Sequence, residues 1–320
     1  MKQKKVAILT SGGDAPGMNT CLRAIVRTAL KKNIIPYLVY DGYLGLVNNN
    51  IVEADYKSVG NILNKGGTVI GTARLPEFKE KAVRAKGIKN LQDRGIDYLI
   101  CIGGDGTYMG ASRLSDEGIN CITIPATIDN NIASSEFTIG FWTALQTIIE
   151  AIDKLRDTSS SHHRCSIVEV MGQYSGYLTY IAGITTGAEV ISTPDNKKNV
   201  DQFVEAIKHA KEDGKNHCLI VVTENMYDMK QLEIDITKKS KVITRATVLG
   251  HVQRGGSPCG FDRILATMFG YHAILAVLNN KSKICLAYKD LRIIEIPIQE
   301  ALLKKPADWR CLEDVLQIIK

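Results

Sequence analysis

No two of the eight cysteines in this chain of 320 residues stand close enough in the sequence to form a Cys-x-x-Cys pair; they lie at positions 21, 101, 121, 165, 218, 259, 285 and 311. A structural zinc site is usually built from such pairs, so the spacing gives no support to a zinc-binding domain. Most of the cysteines stand in apolar surroundings, as in Leu99-Ile100-Cys101-Ile102. This pattern predicts buried, reduced thiols and therefore a reducing compartment.

Long apolar runs and blocks of like charge are also missing. The N-terminus, MKQKKVAILTSGG, has only a short apolar run before two glycines, which is too short for the apolar region of a signal peptide. No stretch approaches the ~18 apolar residues that a membrane span requires. The formal net charge is +6, yet no five basic residues follow one another. The positive charge is a weak indication of an anionic partner, and a phosphorylated small molecule fits it as well as a nucleic acid does. We expect a cytoplasmic protein without a membrane or nucleic-acid partner.

The sequence has no low-complexity segment, no linker rich in Pro, Gly and Ser, and no short-period repeat. Its length is large for a single hydrophobic core and suits two α/β domains. Hydrophobic residues make up 45% of the chain and charged residues 23%, which is ordinary for a globular protein. Because no linker separates two halves, we expect the chain to cross between the domains more than once through short connections.

Short apolar runs alternate with helical patterns along the chain, and runs without polar alternation predict strands covered on both faces, as in a parallel sheet. In the first half, the predicted strands are Val6–Thr10, a strand ending at Val39–Tyr40, Leu99–Ile102 and Ile122–Pro125, with helices at about 19–32 and 110–117. In the second half, they are Ser166–Val170, Leu219–Thr223 and Ala246–Leu249, with helices at about 141–155, 177–184 and 200–214. This alternation predicts two doubly wound, three-layer α/β domains with mainly parallel sheets.

The first motif is a glycine-containing loop, Thr10–Gly17, directly after the first predicted strand. Glycines there let backbone N–H groups approach phosphate oxygens, with the N-terminus of a helix behind them. The spacing matches neither the dinucleotide pattern GxGxxG nor the nucleotide-binding loop that ends in GK[ST]. It therefore indicates an anion near a strand end, with a simple tight turn as the alternative.

Two further motifs place an aspartate at a strand end. In Gly103-Gly104-Asp105-Gly106-Thr107, a carboxylate beside a polyphosphate would need a cation between them, and Mg²⁺ binds through one or two carboxylates and the phosphates. In Pro125–Asn131, Asp129 lies in the crevice beyond the strand ends, where it could accept a proton from an alcohol that receives a phosphoryl group. For both aspartates, a turn or helix cap is the alternative.

Cationic residues form the fourth group. Arg164 and Arg245 each open a predicted strand, and His251 and Arg254 follow in the segment HVQRGG. Arginine supplies forked donors that fit a sugar phosphate, and Glu224, at the end of a predicted strand, could accept sugar hydroxyls. Each of these residues alone would be read as a solvated surface charge, and only the set as a whole indicates a phosphate site.

The motifs resemble, in their order along the chain, those of the bacterial ATP-dependent 6-phosphofructokinases. The segments that carry the resemblance are SGGDAPGMN, YDGYLGL, NKGGT, GTARLPEF, CIGGDGTYMGA, PATIDNN, DKLRDTSSSHHR, VEVMG, TRATVLGHVQRGGSP and DRILA. They cover the chain from Lys5 to about Leu302, and their combination is specific to this family. The resemblance implies phosphorylation of the 1-hydroxyl of fructose 6-phosphate by ATP and Mg²⁺ in glycolysis, by a homotetramer.

The resemblance also implies a role for each matching residue. Around ATP it places Gly12, Arg74, Leu75, Gly104, Asp105, Gly106, Thr107 and Gly110, with Asp105 as the Mg²⁺ ligand. For catalysis it implies Asp129 as the general base, with Thr127, Gly12 and Arg74. Around fructose 6-phosphate it places Thr127, Ile128, Asp129, Arg164, Met171, Gly172, Gln173, Glu224, Arg245, His251, Val252, Gln253 and Arg254, of which Arg164 and Arg245 reach in from a neighbouring subunit.

Further implications concern regulation and the domains. An effector site for ADP or phosphoenolpyruvate between subunits would use Arg23, Arg27, Arg156, Gly187, Glu189 and Lys215. The ATP-binding domain would comprise residues 1–138 and 252–303, and the fructose 6-phosphate-binding domain residues 139–251 and 304–320. Pyrophosphate-dependent relatives carry larger charged residues at the positions of Gly106 and Ala126, so the small residues here indicate ATP as the donor.

The sequence departs from the family pattern at several positions. The family usually reads PGTIDND where this chain has Ala126 and Asn131, and VEVMGR where it has Gln173. Lys79 stands where an arginine that contacts ATP is common. At the effector site, Tyr56 and Asp213 occupy positions that are often Arg and Lys. The proposed base and metal ligand are retained, whereas some supporting charges are not.

Three other functions remain open at the level of sequence. Gln173 and Asn131 motivate a weakly active or non-catalytic paralogue that acts as a regulatory subunit. A different kinase with a GGDGT loop, such as an NAD or diacylglycerol kinase, lacks the sugar-phosphate arginines and the TIDN segment found here. A dinucleotide oxidoreductase would require the GxGxxG pattern that is absent.

Overall fold

The structure is a computed structural model that describes residues 3–303 together with Leu312, Val315 and Ile318. The chain divides into two compact units. Among the described residues, the first unit takes in residues 3–143 and 254–303, and the second takes in residues 144–253 with Leu312, Val315 and Ile318. The rest of the predicted 304–320 segment, including Cys311, lies outside the described residues.

The described residues form strands and helices that alternate along the chain. The strands are β1 (Lys5–Ser11), β2 (Ile35–Val39), β3 (Ile51–Glu53), β4 (Tyr98–Gly103), β5 (Cys121–Pro125), β6 (Cys165–Val170), β7 (Val190–Ser192), β8 (Cys218–Thr223), β9 (Thr244–Val248), β10 (Ile284–Lys289) and β11 (Arg292–Pro297). The α-helices are α1 (Met18–Lys31), α2 (Gly42–Val47), α3 (Lys81–Asp93), α4 (Asp105–Asp116), α5 (Phe141–His162), α6 (Tyr177–Thr185), α7 (Val200–Glu212), α8 (Met229–Ser240), α9 (Gly260–Leu278) and α10 (Ile298–Leu303). Two 3₁₀ helices span Pro76–Lys79 and Gly250–Arg254.

The first unit is built on a seven-stranded sheet in the order β11-β10-β5-β4-β1-β2-β3. The middle of the sheet is parallel, and the edge strands β3 and β11 pair antiparallel with their neighbours. Every residue of β4 and of β5 is buried, because helices cover both faces of a parallel sheet. The predicted strands of the first half are therefore confirmed, and the sheet is mainly parallel, as predicted.

Helix α9 packs on α1 in this unit. Gly270 allows the close approach, since a Cβ built on it would lie 2.6 Å from the Cβ of Ala24 and 2.9 Å from the carbonyl oxygen of Cys21. Gly260–Leu278 is long and apolar enough to cross a membrane by length and composition, so the expectation that no stretch approaches this limit was too strong. Half of that apolar window is buried inside the protein, and a buried core helix passes the same test.

The second unit contains a four-stranded sheet in the order β7-β8-β6-β9, in which all pairs are parallel. Phe203 and Ile207 on α7 and Leu232 and Ile236 on α8 pack on one face of the sheet in a single apolar cluster. Helix α7 begins with a capping box, in which Asn199 accepts from the backbone N–H of Gln202 and Gln202 accepts from that of Asn199. The predicted strands and helices of the second half are present.

Several elements were not predicted, namely β3, β7, β10, β11, α2, α3, α8, α9 and α10. The two units nevertheless give the predicted α/β fold with mainly parallel sheets.

Seven cysteines carry free thiols, and all but the half-buried Cys259 are buried, as expected; the eighth, Cys311, lies outside the described residues.

Candidate active site

Strand register brings the three predicted motifs of the first unit together. Ser11 at the end of β1 pairs with Gly103 at the end of β4, and Gly103 pairs with Pro125 at the end of β5. The line Ser11–Gly103–Pro125 across the sheet therefore passes through the beginning of all three motifs. Because the three strands are parallel and adjacent, their carboxyl-end loops lie side by side, where ligands bind in α/β folds.

The loop after β1 is held in place by the segment that follows residue 65. Thr72 donates a hydrogen bond to the carbonyl oxygen of Gly12 (2.8 Å), and Thr10 donates one to that of Gly71 (2.9 Å). Gly12 has φ +85°, a conformation that glycine adopts without strain. Arg74 is exposed and Leu75 is half-buried, two and three residues after Thr72. The hydrogen bonds of Thr72 and Thr10 therefore connect the segment of Arg74 to the loop of Gly12.

The GGDGT motif forms the N-terminus of α4, with Gly104 as the N-cap and Asp105 as the first helical residue. Thr107 ties this end of the helix to the first loop, because its hydroxyl donates to the carbonyl oxygen of Ser11 (3.0 Å). The N–H groups of a first helical turn and the helix dipole favour an anion at such a position. The geometry therefore supports the predicted phosphate-binding role of this motif.

Asp105 lies exposed at this helix end, although protein on one side of its carboxylate removes water and raises its pKa. Within residues 3–303, no hydrogen bond or ion pair is made by this carboxylate. The same part of the chain has no group of three or more His, Cys, Asp or Glu side chains that could hold a metal ion alone. A single carboxylate beside a phosphate site fits Mg²⁺ that arrives with a nucleotide.

Gly110 has a packing role that the resemblance did not indicate. A Cβ at this buried position would lie 2.6 Å from the ring of Tyr43 and 2.8 Å from its hydroxyl oxygen. Tyr43 in turn donates a hydrogen bond to the carbonyl oxygen of Thr107 (2.6 Å). Gly110 thus makes room for a ring that supports the first turn of α4, and its contact with ATP stays a prediction.

The loop after β5 carries Thr127, Ile128 and Asp129, and Asp129 is only 6% exposed. The backbone N–H of Asp129 donates to the Thr127 hydroxyl oxygen (3.2 Å), and that hydroxyl lies 3.4 Å from Asp129 Oδ2. Thr127 also stands beside the second motif, since a Cβ on Gly104 would lie 3.8 Å from its Cβ. The candidate base is therefore buried and oriented next to the N-terminus of α4.

Thr138 holds the loop after β5 through hydrogen bonds to Thr127 and Asn130, and this structural role was not predicted. Its hydroxyl donates to the carbonyl oxygen of Thr127 (2.6 Å), and its backbone N–H donates to Asn130 Oδ1 (2.8 Å). Asn130 has φ +46° and donates its amide to the carbonyl oxygen of Glu136 (2.9 Å). The loop after β5 is thus closed on itself through two polar side chains.

Asp262 fixes the start of α5, immediately after this loop, and was also missed. Its fully buried carboxylate accepts from the backbone N–H groups of Gly140 (3.0 Å) and Thr143 (2.8 Å) and from the Thr143 hydroxyl (2.6 Å). Burial raises the pKa of Asp262, and these hydrogen bonds oppose the shift. The acidic residue of the DRILA segment therefore caps α5 across 119 residues of sequence.

Some of the predicted sugar-site residues of the second unit lie together just after the ends of β6 and β8, namely Met171, Gly172, Gln173 and Glu224. Glu224 Oε1 accepts from the backbone N–H groups of Gly172 (3.3 Å) and Gln173 (2.9 Å). Gln253 is fully buried, accepts from the Met171 N–H (3.1 Å) and donates to the carbonyl oxygen of Gly250 (2.9 Å). Glu224 and Gln253 therefore hold the loop of Met171, Gly172 and Gln173, and their contact with substrate stays a prediction.

The remaining cationic candidates differ in their surroundings. Arg245, near the start of β9, is exposed and pairs with Glu233 of α8 (3.0 Å). Arg164 is half-buried directly before β6, so both arginines lie at strand starts. His251 and Val252 are exposed on the second 3₁₀ helix. Arg254 belongs to the first unit, and its Nη1 donates to the carbonyl oxygen of Asp14 (3.2 Å).

The predicted effector residues fall into both units. In the first, Arg27 lies over the ring of Tyr56, with 5.5 Å between its Cζ and the ring centroid, and Arg23 is half-buried on the same helix. In the second, Lys215 pairs with Glu189 (2.9 Å) in a cavity of about 510 Å³ that Asp213 also lines. Arg156 is half-buried on α5, and Gly187 is exposed.

Comparison with known proteins gives one consistent result. A family model described as Phosphofructokinase matches residues 5–277. An ATP-dependent 6-phosphofructokinase of Serratia proteamaculans (strain 568) is 49% identical over 310 residues, which cover 96% of this chain and 97% of that protein.

Solved structures give the same fold. A phosphofructokinase from Saccharomyces cerevisiae is 34% identical with a TM-score of 0.86, and the match covers 94% of this chain but only 45% of the yeast chain. A pyrophosphate-dependent phosphofructokinase from Marinobacter aquaeolei has a TM-score of 0.85 at 20% identity, covering 99% of this chain and 91% of that one. At this lower identity, the likeness shows the fold alone.

Proposed function

The chain belongs to the phosphofructokinase family, and on that premise we propose that it transfers a phosphate from ATP to the 1-hydroxyl of fructose 6-phosphate, giving fructose 1,6-bisphosphate and ADP in glycolysis. One observation carries this proposal. The buried carboxylate of Asp129 and the N-terminus of α4, with Asp105 on its first turn, lie side by side at the ends of two paired parallel strands. A base for an alcohol and a site for a polyphosphate are thus neighbours.

Asp129 is the general base in this proposal. Its buried carboxylate accepts the proton of the sugar hydroxyl as the hydroxyl oxygen attacks the terminal phosphate, a role that requires hydrogen-bond reach to that proton. The backbone of α4 and the loop at Gly12 bind the nucleotide phosphates, and the exposed Arg74 places positive charge beside the loop. Asp105 would hold Mg²⁺, which neutralises the charge that develops on the phosphate oxygens.

Fructose 6-phosphate is bound, in this proposal, by the residues that the family resemblance assigns to it. Glu224 and the loop of Met171 to Gln173 face the sugar hydroxyls, while His251, Arg254 and the two arginines Arg164 and Arg245 bind the 6-phosphate. We place Arg164 and Arg245 at the site of a neighbouring subunit in a homotetramer. The exposure of the Arg245 side chain, 58% in the single chain, supports that placement.

A coupled assay tests the proposal directly. Purified protein with ATP, Mg²⁺ and fructose 6-phosphate should release ADP, whereas pyrophosphate as sole donor should give negligible turnover. Gly106 supports this choice of donor, because it stands exposed at the second position of α4 with open space beyond it. Comparable rates with both donors would contradict the ATP specificity, and no turnover with either would contradict the function and favour the non-catalytic paralogue.

The effector site is proposed to be weak. Tyr56 stacks under Arg27, and Asp213 adds a negative charge to the cavity that holds Lys215. A charge-assisted hydrogen bond contributes about 1.5–3 kcal/mol, so the loss of two cations should weaken phosphate binding strongly. ADP and phosphoenolpyruvate should then hardly alter the fructose 6-phosphate saturation curve, and a strong response in the micromolar range would contradict this.

We place the enzyme in the cytoplasm, in keeping with its free, mostly buried thiols.

A further inference from the structure

The space in front of Gly13 is filled by a cation. Gly13 follows Gly12 in the loop after β1, and its φ lies outside the left-handed region, so an alanine could adopt its backbone conformation. A Cβ built on Gly13 would overlap Nη1 of Arg254 and lie 3.0 Å from its Cζ and 3.3 Å from its Nη2. The Arg254 guanidinium accounts for all of these close contacts.

Arg254 reaches this loop from the end of the second 3₁₀ helix, 240 residues away in the sequence. Its Nη1 donates to the carbonyl oxygen of Asp14 (3.2 Å), which places the guanidinium against the backbone of the glycine loop. The guanidinium has five N–H donors, so others stay available for a ligand. None of the ion pairs found among the described residues includes Arg254, so its charge is not neutralised by a carboxylate of this part of the chain.

We propose that Gly13 is a positioning residue for Arg254: its missing side chain lets the guanidinium lie on the glycine loop, where it binds an anionic group of the phosphorylated sugar. The inference rests on the proposed function and assigns different roles to Gly12 and Gly13. Gly12 shapes the loop with its positive φ, whereas Gly13 provides room for an arginine.

The usual reason for a second glycine in such a loop is close approach of the backbone to nucleotide phosphates. That explanation and ours make opposite predictions for Gly13→Ala. If the glycine serves the nucleotide, the variant loses affinity for ATP. If it serves Arg254, the new methyl group displaces the guanidinium, and the KM for fructose 6-phosphate rises while the KM for ATP does not.

The test is a double-mutant cycle of Gly13→Ala, Arg254→Ala and both together, assayed with ATP and fructose 6-phosphate. We expect Gly13→Ala to raise the KM for fructose 6-phosphate about tenfold or more, with the KM for ATP within about twofold of the parent. In the Arg254→Ala background, Gly13→Ala should have no further effect. Additive losses in the double variant, or a loss confined to ATP, would overturn the proposal.

Gly260→Ala is the matched control, because Gly260 opens α9 with an ordinary φ and a Cβ there would meet nothing within 4 Å. It should leave both KM values unchanged. If Gly13→Ala alone fails to fold, the double variant decides: recovery of the fold once Arg254 is removed supports the proposal, and continued failure overturns it.

The same proteins separate this inference from the proposed function. Absence of turnover in the parent protein would contradict the proposed function. The coupling between Gly13 and Arg254 could still be measured, because calorimetry reports binding of fructose 6-phosphate without turnover. Non-additive losses of that binding in the cycle support the Gly13–Arg254 link, and additive losses overturn it.

Discussion

At the residue scale, Thr127 holds the candidate base in place. It accepts the backbone N–H of Asp129, its hydroxyl lies 3.4 Å from the Asp129 carboxylate, and its carbonyl oxygen accepts from Thr138. A base whose surroundings are fixed before substrate arrives needs little reorganisation during proton transfer. The chemistry of this site therefore depends on a short turn whose polar groups are largely used internally.

Asp129→Asn keeps the shape of the side chain and removes its ability to take a proton. General base catalysis contributes roughly 10²–10⁴-fold, so kcat should fall by that factor or more. Fructose 6-phosphate binding, measured by calorimetry, should persist. Asp93→Asn, at the exposed end of α3, serves as the control and should leave kcat unchanged. Near-normal turnover of Asp129→Asn would show that another group is the base.

Gln173 and Asn131 stand where the family resemblance implies charged residues, and on that expectation they predict a slow enzyme. An arginine at 173 would place a full positive charge near the transferred phosphate, where Gln173 offers only an amide dipole, and Asn131 lacks the negative charge of an aspartate. Gln173 is exposed, with its backbone N–H fixed by Glu224. Gln173→Arg with Asn131→Asp should therefore raise kcat about tenfold or more, which corresponds to ~1.4 kcal/mol.

Steady-state kinetics of the two single variants and the double variant check this prediction. The KM for fructose 6-phosphate should change less than kcat. If the natural protein already turns over at an ordinary glycolytic rate and the double replacement gives no increase, these two departures do not limit catalysis.

The sequence singled out the candidate residues of this site whose motifs are local. Asp105 and Asp129 stand within five residues of a buried strand end, so an apolar run followed by glycine or threonine was enough to find them. Thr138, Asp262 and the Tyr43–Gly110 contact were missed, because they act across 11, 119 and about 67 residues of chain. Only the tertiary fold brings such pairs together.

At the element scale, the N-terminus of α5 connects the loop after β5, which carries the candidate base, to α9. Ile139 donates to the carbonyl oxygen of Pro125 (3.1 Å), and Asp262 of α9 accepts from Gly140 and Thr143 in the next turn. The first N–H groups of a helix have no partner within the helix, so a carboxylate from another helix can satisfy them. The cap by Asp262 thus fixes the residues directly after Ile139, the point at which the loop after β5 bonds back to the end of that strand.

Asp262→Asn should weaken both the fold and catalysis. The amide retains one acceptor oxygen but turns an NH₂ group toward buried donors, which costs about 1–3 kcal/mol. We expect a lower thermal midpoint and a reduced kcat, with the KM for ATP unchanged. Asp153→Asn, at an exposed position of α5, is the control for the helix itself. An unchanged kcat in a folded Asp262→Asn protein would show that the cap of α5 does not influence the position of the candidate base.

Arg84 of α3 and Glu117, the C-cap of α4, form a second link between elements. Arg84 Nε lies 3.1 and 3.0 Å from the two carboxylate oxygens, and Nη1 donates to the carbonyl oxygens of Phe78 (3.0 Å) and Lys79 (2.7 Å). The hydrogen bond from Arg84 lowers the pKa of Glu117, although partial burial opposes the shift. The pair therefore fastens α3 and the first 3₁₀ helix to α4.

The lowered pKa of Glu117 gives the stability of this link a defined pH dependence. Its contribution is present above the unfolded pKa of about 4.3 and is lost as the pH falls through the lower, folded-state pKa. Glu117→Gln should reduce the free energy of unfolding by about 1.5–3 kcal/mol at pH 7, and the difference from the parent should shrink as the pH falls below about 4. Urea titrations at both pH values, with the exposed Glu77→Gln as control, measure this; a difference independent of pH would contradict it.

The elements that the sequence did not reveal share a physical reason. Helix α3 reads KAVRAKGIKNLQD and buries only Arg84, Gly87 and Leu91 completely, so it has too few apolar positions for a clear helical stripe. Helix α9 is apolar over most of its surface, which removes the periodicity that identifies a helix by pattern. Strand β11 lies at a sheet edge with several exposed residues. The core strands were predicted because burial on both faces requires continuous apolar runs.

At the scale of the whole molecule, the proposed homotetramer makes each sugar site depend on two subunits. A chain with Asp129→Asn and a chain with Arg164→Ser should each be nearly inactive alone. Co-expressed with two different tags and purified as hybrids, they should regain activity, because some sites then combine an intact Asp129 with an intact Arg164 from the neighbour. Random mixing gives about a quarter of the sites in this state.

The same hybrids test the assignment of Arg164. If Arg164 acted within its own subunit, every site would carry one defect, and no activity would return. A hybrid of two Asp129→Asn chains with different tags is the matched control and should stay inactive in either case.

Strand β4 has a further consequence for exchange of backbone amide hydrogens with solvent. Its six residues are buried, and it is hydrogen-bonded to β1 on one side and β5 on the other. Amides in such a position exchange only when the whole unit opens, whereas those of the edge strands β3 and β11 exchange through local fraying. The loops of the candidate site begin where β1, β4 and β5 end. The strand ends that hold these loops therefore belong to the slowest-exchanging part of the first unit. Partial fraying at the sheet edges should therefore leave these strand ends in place, and they should be lost only when the unit itself unfolds.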